Sequence, residues 1–459
     1  MKIRKGFKTV LALCLCFMMA AAFMSCGGGK TTIESLTLSP NNINLLVNTP
    51  IQFEAAGSQS NGVVANENTQ VSWSSSNPSV ATVNSSGLVT TLAPGTTTIT
   101  ISSSANITAS AALQVSPVPI NPPSYGVGTN PSGIAIDSNG NIWVSNYGSN
   151  NVTELCGSNT AKCPAGMSTG STIATYTTLN NSNVGHNPSG IAIDALGNVW
   201  VSDFGDNAVT ELNSSGTIIG TFQNGVGTNP SSIVIDPTSF VWVTNQGSNN
   251  VTELTSTGSL INQYSLGVGA TAPKGIAVSG VNFAWITWVA NMGTTAAPGN
   301  TITGINANGT IYGGPFPVNK AGSSNQSEPS SIAIDPSNFL WVTNQLSNTI
   351  AQLNPAGAVV NTFQPTGINA PDAVAIDTAG SVWIANYGTT ATPGTIMQLS
   401  PTDSSLLHTL TVGNNPSAIA IDASNNIWVA NYGSNTVTFL QGAATGPQFR
   451  TYITGPIWP

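Results

Sequence analysis

The stretch "PSGIAIDSNGNIWVSN", from Pro131 to Asn146, decides the fold because the chain repeats it with small changes. The copies share an apolar run and a tryptophan between apolar residues; six of the seven also have an aspartate after the apolar run, and six end in asparagine. The prolines that open the copies stand 42 to 57 residues apart, at positions 131, 188, 230, 273, 329, 371 and 416. A period near 42 with several short strands per copy is typical of a β-propeller, in which each repeat is one four-stranded blade. We therefore predict an all-β fold with seven blades, with six or eight as the alternatives.

The first copies also predict the strands of a blade. In the first, "SGIAID" is strand a, "NIWVSN" strand b and "NVTEL" strand c, and the second adds "TIIGTFQ" as strand d. The fourth copy is irregular, since Ser279 replaces the aspartate; we expect Trp288 rather than Trp285 to be its repeat tryptophan, after a three-residue insertion. The outer strand of the last blade is expected either from "FRTYITG" near the C-terminus or from "NPPSYGVG" before the first repeat.

The unit P-x-x-I-A-I-D-x-x-G-N-I-W-V-x-N resembles NHL-type repeats and the related streptogramin-lyase propellers, over residues 125–459. The resemblance to the lyases implies catalysis by histidines and a glutamate with a divalent metal over the channel mouth. The chain has only His186 and His408. His186 stands where other repeats have threonine, and His408 lies in an outer-strand run. Glu154, Glu211 and Glu253 recur at one position of strand c, which favours a solvated or blade-edge role. The residues therefore support catalysis poorly, and we expect no cofactor and no metal site.

Residues 34–116 are predicted to be a separate small β-sandwich, because short β-rich runs alternate with turn residues. The stretch "VSWSSSNPSVATVNSSGLVTTLAPGTTTITISS" resembles bacterial Ig-like domains of group 2, whose members mostly serve as stalks or adhesive modules. Trp73 is expected to anchor the core of this domain, and a spacer without a ligand is the preferred role. Residues 117–124 are rich in proline and are predicted to be a stiff linker.

The N-terminus is typical of an export signal, with basic residues followed by an apolar run. The run ends at Ser25-Cys26 and is followed by three glycines, which resembles the lipobox of a bacterial lipoprotein. We therefore predict a signal peptide over residues 1–25, lipidation of Cys26, and a flexible tether over residues 26–33. The alternative is cleavage after the three alanines that end at Ala22, which would leave Cys26 as an odd thiol.

Charge and cysteines limit the partners. Without the signal peptide, five Lys and Arg stand against 17 Asp and Glu, a net charge of −12. An acidic chain without a basic run argues against nucleic acid and against electrostatic binding to anionic lipid, so membrane contact is expected only through the lipid anchor. Cys156 and Cys163 are predicted to form a disulfide that closes a surface loop, since no further Cys or His nearby could complete a metal site.

Six repeats end strand a with an aspartate followed by turn-forming residues. They are Asp137, Asp194, Asp236, Asp335, Asp377 and Asp422. Proline directly after two of them and glycine three residues after three others are typical of type I turns, in which the carboxylate accepts hydrogen bonds from backbone N–H groups. We predict that these residues cap turns and are not a ring of catalytic carboxylates, and that asparagine would replace Asp194 at little cost.

Two further sets recur in strand b and just after it. The tryptophans are expected to be core residues: Trp143, Trp200, Trp242, Trp341, Trp383 and Trp428. The turn after strand b has a variable middle residue, often aromatic, although turn chemistry does not require one. In an up-and-down blade these turns share a face with the turns before strand a. The candidate binding rim on that face consists of Tyr147, Phe204, Gln246, Gln345, Tyr387 and Tyr432.

Together these features predict an exported, lipid-anchored protein of the bacterial cell envelope, on the outer membrane or the cell surface. Its propeller is expected to act as a monomeric binding or scaffold module for a neutral polar partner, a glycan or a protein, because the rim is uncharged. The alternative is a metal-dependent propeller enzyme of the streptogramin-lyase or sugar-lactonase kind.

Overall fold

The computed structural model describes residues 33–442 apart from 42, 48, 60–63, 118–121, 178–185, 268, 282–283, 295–296, 320–326, 379, 389–392 and 401–403. The signal peptide, Cys26 and the "FRTYITG" segment lie outside the described residues. Within the described ranges the chain is almost entirely β-structure. None of the helices there is long and apolar enough to cross a membrane.

The N-terminal domain has ten strands in three small sheets, ordered β1-β4-β5, β2-β10-β9-β6 and β3-β8-β7. They are β1 (Ile33–Ser39), β2 (Ile43–Leu46), β3 (Pro50–Gln52), β4 (Glu54–Gln59), β5 (Val64–Asn66), β6 (Ser72–Ser75), β7 (Ala81–Val83), β8 (Leu88–Thr91), β9 (Gly95–Ser102) and β10 (Thr108–Ser116). Alternate residues of β9 and β10 point inward, as expected for strands with one buried face, and enclose a core that includes Phe53 and Leu113.

Trp73, which was expected to anchor this core, contacts it from the edge. It is half-buried and packs against the edge of the core, and its Nε1 donates to the Asn68 carbonyl at 2.9 Å. Its ring lies over Gly87, where a Cβ atom would come within 2.7 Å of the ring and φ is +88°. A glycine is therefore required under the ring, and fully buried Phe53 is a core residue instead.

The rest of the described chain forms seven four-stranded antiparallel sheets, each a propeller blade. Blades one to three contain β12 (Pro131–Ile136), β13 (Ile142–Asn146), β14 (Asn151–Leu155), β15 (Thr172–Thr177); β16 (Pro188–Ile193), β17 (Val199–Asp203), β18 (Ala208–Leu212), β19 (Ile218–Phe222); β20 (Pro230–Ile235), β21 (Val241–Asn245), β22 (Asn250–Leu254) and β23 (Leu260–Ser265). A short 3-10 helix (Thr160–Lys162) precedes β15. Blades four to six contain β24 (Pro273–Val281), β25 (Ala284–Thr294), β26 (Ala297–Asn306), β27 (Ile311–Pro317); β28 (Pro329–Ile334), β29 (Leu340–Asn344), β30 (Thr349–Leu353), β31 (Val359–Phe363); β32 (Pro371–Ile376), β33 (Val382–Asn386), β34 (Thr395–Leu399) and β35 (Leu406–Thr411).

The seventh blade closes the ring with a strand from before the first repeat. It consists of β36 (Pro416–Ile421), β37 (Ile427–Asn431), β38 (Thr436–Leu440) and β11 (Ser124–Gly126). Tyr125 of β11 pairs with Val437 of β38, so the "NPPSYGVG" alternative supplies the outer strand. The innermost strands β12 and β36 also contact each other, which completes the circle of inner strands around the channel.

The fourth blade uses Trp288, as predicted. Trp288 is 1% exposed and pairs with Ala277 of β24, as Trp143 pairs with Ala135 in the first blade. The three extra residues lengthen the hairpin between β24 and β25. The other repeat tryptophans are 0 to 3% exposed, which makes them core residues between adjacent blades.

Each of six blades has an outer-strand aromatic ring packed against its own tryptophan, with centroids 5.2 to 6.3 Å apart. The pairs are Trp143–Tyr176, Trp200–Phe222, Trp242–Tyr264, Trp288–Phe316, Trp341–Phe363 and Trp428–Tyr125. A left-handed glycine of the next blade covers several of these rings; Gly216, for example, lies against Tyr176. Blade six differs, because Leu410 stands at the aromatic position and pairs with Ile396 as Tyr176 pairs with Val152.

Candidate functional site

The strand-a aspartates cap turns and also bind the repeat tryptophans. Asp137 Oδ1 accepts hydrogen bonds from the backbone N–H groups of Asn139 (2.8 Å) and Asn141 (2.9 Å). Its Oδ2 accepts a bond from Trp143 Nε1 at 3.2 Å. The same indole contact, at 2.8 to 3.2 Å, recurs in five other blades, at Asp194, Asp236, Asp335, Asp377 and Asp422. Both oxygens are thus used inside the fold, at the a–b turns.

On the opposite face, a residue in left-handed conformation directly precedes each repeat proline, and in four of the seven described blades it is asparagine. Asn130, directly before the first repeat proline, has φ of +53°, and its carbonyl accepts the Tyr147 backbone N–H at 3.0 Å. In the next blade, Asn187 (φ +59°) donates from Nδ2 to the Tyr147 carbonyl at 3.0 Å. Asn415 makes the same bond to Tyr387 at 3.1 Å. Each of the four aromatic residues after strand b is therefore held by the turns of two blades, and the turns before strand a and after strand b share one face, which we call the mouth face.

The strand-b asparagines that precede the variable residues are structural. Asn146 is fully buried, and its Nδ2 donates to Asn151 Oδ1 at 2.8 Å and Thr153 Oγ1 at 2.9 Å. Asn245 makes the equivalent bonds to Asn250 and Thr252, both at 2.8 Å. A ligand on the mouth face would therefore meet the variable residue and not the asparagine.

The aromatic rim residues lie in four adjacent blades as two pairs of contacting rings. Tyr147 contacts Phe204 with ring centroids 5.9 Å apart, and Tyr387 contacts Tyr432 at 6.4 Å. Tyr432 is also close enough to Tyr147 to raise the pKa of its phenol. We call Tyr387, Tyr432, Tyr147 and Phe204 the aromatic arc. The other two rim residues, Gln246 and Gln345, lie at the equivalent positions of blades three and five, and all six are half-buried.

Two tyrosines of the arc, Tyr147 and Tyr387, have raised phenol pKa values. Burial, and then the neighbouring phenol of Tyr432, raises the pKa of Tyr147. Burial, followed by the charge of Asp372 and the phenol of Tyr432, raises the pKa of Tyr387. A phenol pKa above its usual value of 10 keeps the hydroxyl protonated at neutral pH, so it can donate and accept hydrogen bonds. The arc thus offers flat apolar surface and neutral polar groups.

One ion pair crosses the mouth, and the sequence reasoning missed it. Lys274 Nζ lies 2.5 Å from Asp372 Oδ1, and the two side chains are 32% and 9% exposed. Both residues directly follow a repeat proline, in blades four and six, so the pair passes in front of blade five. A detectable signal was present: the other five repeats have serine there. Four of those serines donate to the proline carbonyl of the next blade, as Ser231 does to Pro273 at 3.1 Å.

The two histidines do not come together. His186 is exposed and pairs with Asp206 at 3.0 Å, and its N–H donates to Asp206 Oδ2 at 2.9 Å. The Thr228 backbone N–H donates to Ser248 Oγ at 3.0 Å in the same way. His186 therefore replaces threonine in an equivalent turn. The hydrogen bond to Asp206, with its negative charge, raises the pKa of His186. His408 is buried on β35, away from the mouth turns.

The donor set of the described residues does not fit the divalent metal that the family resemblance implies. Throughout the described ranges, no three His, Cys, Asp or Glu side chains come close enough to hold one ion. At the mouth, the carboxylate of Asp372 is already bound to the cation of Lys274.

The strand-c glutamates are buried, which corrects their expected solvated role. Glu154, Glu211 and Glu253 are 3 to 5% exposed. The Tyr176 hydroxyl donates to Glu154 at 2.7 Å, and the Tyr264 hydroxyl donates to Glu253 at 2.5 Å. Phe222 stands at the equivalent position beside Glu211 and has no hydroxyl to donate. Burial, then the charge of Asp194, raises the pKa of Glu211 to about 7. Strand c has both faces covered by neighbouring blades, so alternation along the strand does not place any side chain in solvent.

The Cys156–Cys163 disulfide is present, with a Cα–Cα distance of 5.6 Å. Its loop reaches the last blade, because Ser158 Oγ donates to Asp422 Oδ2 at 2.8 Å. Gly170, which follows the loop, packs against Tyr125 of the closing strand. The loop therefore braces the joint between blades one and seven.

Family comparisons agree with this geometry. The model of the virginiamycin B lyase family matches residues 187–451, more than half of the chain. The chain belongs to the virginiamycin B lyase family. An NHL repeat model also matches residues 129–155, and the model of the bacterial Ig-like domain (group 2) matches residues 32–112.

Solved structures show the same propeller fold. Virginiamycin B lyase from Staphylococcus aureus is 18% identical, covers 70% of this chain and 99% of its own, and has a TM-score of 0.56. A catalytically inactive form of that enzyme with quinupristin is 19% identical, with coverages of 70% and 99% and a TM-score of 0.57. Kuenenia stuttgartiensis hydrazine synthase is 18% identical, with coverages of 70% and 98% and a TM-score of 0.54. Identities this low establish the fold alone.

A curated relative shares a higher identity over a shorter stretch. Ice-binding protein 1 of Shewanella frigidimarina is 33% identical over 159 residues, which is 31% of this chain. The chain spans only 17% of the length of that protein.

Proposed function

We propose that this protein is an exported, lipid-anchored binding or scaffold protein whose propeller holds a neutral polar partner, a glycan or a peptide, against the aromatic arc. The observation that carries the proposal is the contact chain Tyr387–Tyr432 and Tyr147–Phe204 on one face. Aromatic rings with free hydroxyl groups bind sugar faces and peptide side chains through apolar contact and hydrogen bonds together.

The charge distribution supports a neutral partner. In the described part of the mouth face, Lys274 is already paired with Asp372, and exposed His186 with Asp206. A ligand that used Lys274 or His186 as its charged partner would have to break one of these pairs and would leave a carboxylate uncompensated; Glu328, which takes the place of Asn130 in blade five, adds one further carboxylate to this face. A partner that interacts through hydroxyl and amide groups avoids that cost.

Binding to glycan and peptide arrays, with EDTA or Mg²⁺ in parallel, tests this proposal. We expect the protein to retain sugars or neutral peptides equally well in both conditions. Failure to bind either array contradicts the proposal, and retention of only acidic or basic peptides contradicts the neutral partner.

Membership of the virginiamycin B lyase family favours one alternative, a metal-dependent lyase or lactonase. Incubation with quinupristin and Mg²⁺, followed by mass spectrometry, distinguishes the two. Under the binding proposal the quinupristin remains intact, whereas Mg²⁺-dependent conversion would establish the enzyme.

For the anchor, we propose diacylglyceryl attachment at Cys26. A Cys26→Ala variant should therefore be lost from the membrane fraction, and its unchanged retention there would overturn the attachment.

A further inference from the structure

We propose that the Ig-like domain is docked on blade six through Leu46, in a socket left by the missing aromatic ring of that blade, and so acts as a fixed arm for the propeller. Leu46 ends β2 and is fully buried. It belongs to the same apolar cluster as Trp383, Ile396 and Leu410 of blade six.

Strand alternation shows that the Leu46 side chain lies outside the core of its own domain. Ile43 and Leu45 of β2 point into the Ig-like core. Successive side chains of a strand point to opposite faces, so Leu46 leaves that core on the outer side. Without the propeller, Leu46 would be an exposed apolar residue there.

The socket follows from the comparison of the blades. In the other six blades an aromatic side chain packs against the repeat tryptophan from the outer strand. Blade six has Leu410 at that position, and a leucine leaves part of the tryptophan face uncovered. Leu46 joins this same cluster, so a side chain from the Ig-like domain replaces the aromatic ring that the blade lacks.

Burial of the outer strand supports the same arrangement. His408 and Leu410 of β35 are 7% and 1% exposed, whereas β23 and β31 have no buried residue. Thr49 Oγ1 and His408 Nε2 share a hydrogen bond at 3.2 Å. Leu46 and Thr49, which make these contacts, are both held by the Ig-like domain. Thr91 Oγ1 donates to the Leu46 carbonyl at 2.7 Å and accepts the Thr49 N–H at 2.8 Å.

Docking fixes the orientation of the propeller relative to the Ig-like domain. Residue 116 at the end of β10 and residue 124 at the start of β11 are separated by a short connection, which keeps the two surfaces at high effective concentration. A docked domain holds the mouth face at a constant angle to the N-terminal end of the chain. A domain on a free linker would let the mouth turn in all directions.

Distance measurements between two spin labels on the full chain in detergent test the proposal. One label replaces exposed Ser85 in the Ig-like domain, and the other replaces Leu196, which is 83% exposed on blade two. We expect one narrow distance distribution in the parent protein. Leu46→Ser should broaden it several-fold, and so should Leu410→Phe, since the introduced ring fills the socket as in the other blades.

Leu92→Ser is the matched control, because Leu92 is an Ig-like-domain leucine that is 47% exposed. It should leave the distribution narrow. Circular dichroism shows whether each variant is folded, and Leu410→Phe restores a residue type that six blades already contain. A broad distribution in the parent protein, or narrow ones in both socket variants, would overturn the proposal.

Discussion

Asp236 Oδ2 accepts a hydrogen bond from Trp242 Nε1 at 2.8 Å, while Oδ1 of the same carboxylate accepts the N–H groups of Thr238 and Phe240 at 2.8 and 3.0 Å. One side chain thus fixes the a–b turn and orients the tryptophan that separates two blades. Asp236 is 1% exposed, so neither function can be taken over by water. The indole contact recurs in five other blades, and the aspartate is also buried in three of them, at Asp194, Asp377 and Asp422.

The indole contact reverses the sequence-based expectation that asparagine would replace such an aspartate at little cost: asparagine suits the turn but should be a poor partner for the indole. In Asp236→Asn the amide oxygen can still accept the backbone N–H groups, but the NH₂ group then faces the indole N–H, and two donors oppose each other. We expect a loss of about 2 kcal/mol in the free energy of unfolding, and a larger loss for Asp236→Ala. Denaturant unfolding of both variants measures this.

Trp242→Phe provides the control, because phenylalanine has no indole donor. Asp236→Asn should cost clearly less in that background, although the loss of the indole is itself destabilising. Equal costs in the two backgrounds would show that the indole contact contributes nothing.

Glu211 should make the stability of the protein depend on pH. The folded-state pKa of about 7 lies above the usual glutamate value of 4.5, so the folded state binds more protons than the unfolded state between these values. The contribution of Glu211 to the free energy of unfolding should therefore be largest below pH 4.5. It should fall by on the order of 2 kcal/mol as the pH rises through 7. Glu211→Gln removes the titration and should flatten the curve in that range, measured as unfolding free energy from pH 4 to 8.

Phe222→Tyr is the companion variant. Tyr264 donates to Glu253 from the equivalent position, and its ring stacks on Trp242 as Phe222 stacks on Trp200. The added hydroxyl should stabilise ionised Glu211 and raise stability at pH 8. An unchanged stability at pH 8 would mean that the introduced hydroxyl does not reach the carboxylate.

The Lys274–Asp372 pair should be dispensable for folding when both members are replaced together. Lys274 and Asp372 occupy equivalent positions in their repeats, and most repeats have there a serine that bonds to the next blade. The double variant Lys274→Ser/Asp372→Ser should therefore lie within about 1 kcal/mol of the parent protein. Lys274→Ser alone leaves Asp372 nearly buried without its cation and should cost more, on the order of 2 kcal/mol. Thermal melting of the two variants and the parent protein decides, and a double variant less stable than the single one would contradict this account.

The repeat made most of the fold predictable, because period, strand pattern and turn chemistry all recur. It even identified Trp288 in the irregular blade. The closing strand stayed undecided, since both candidate segments have strand-forming residues and only the three-dimensional ring shows which one reaches β38. The aspartate–tryptophan bond was missed because the turn explains the aspartate without it.

The candidate site was predictable only in part. The variable residues after strand b indicated the arc, because no turn rule requires aromatic residues there. The ion pair joins residues 98 positions apart and depends on the curvature of the ring. Leu46 could not be assigned to blade six, because the sequence carries no information on how two domains face each other.

Binding affinity of a rim variant tests the central claim most directly. The variant replaces Tyr147, Tyr387 and Tyr432 by serine; its control replaces Tyr176 and Tyr264, which bond to buried glutamates, by phenylalanine. Calorimetric titration with the tightest array ligand should show binding reduced at least a hundredfold in the rim variant and unchanged in the control, although the control melts at a lower temperature. Unchanged affinity in the rim variant, or lost affinity in the control, would contradict the assignment of binding to the aromatic arc.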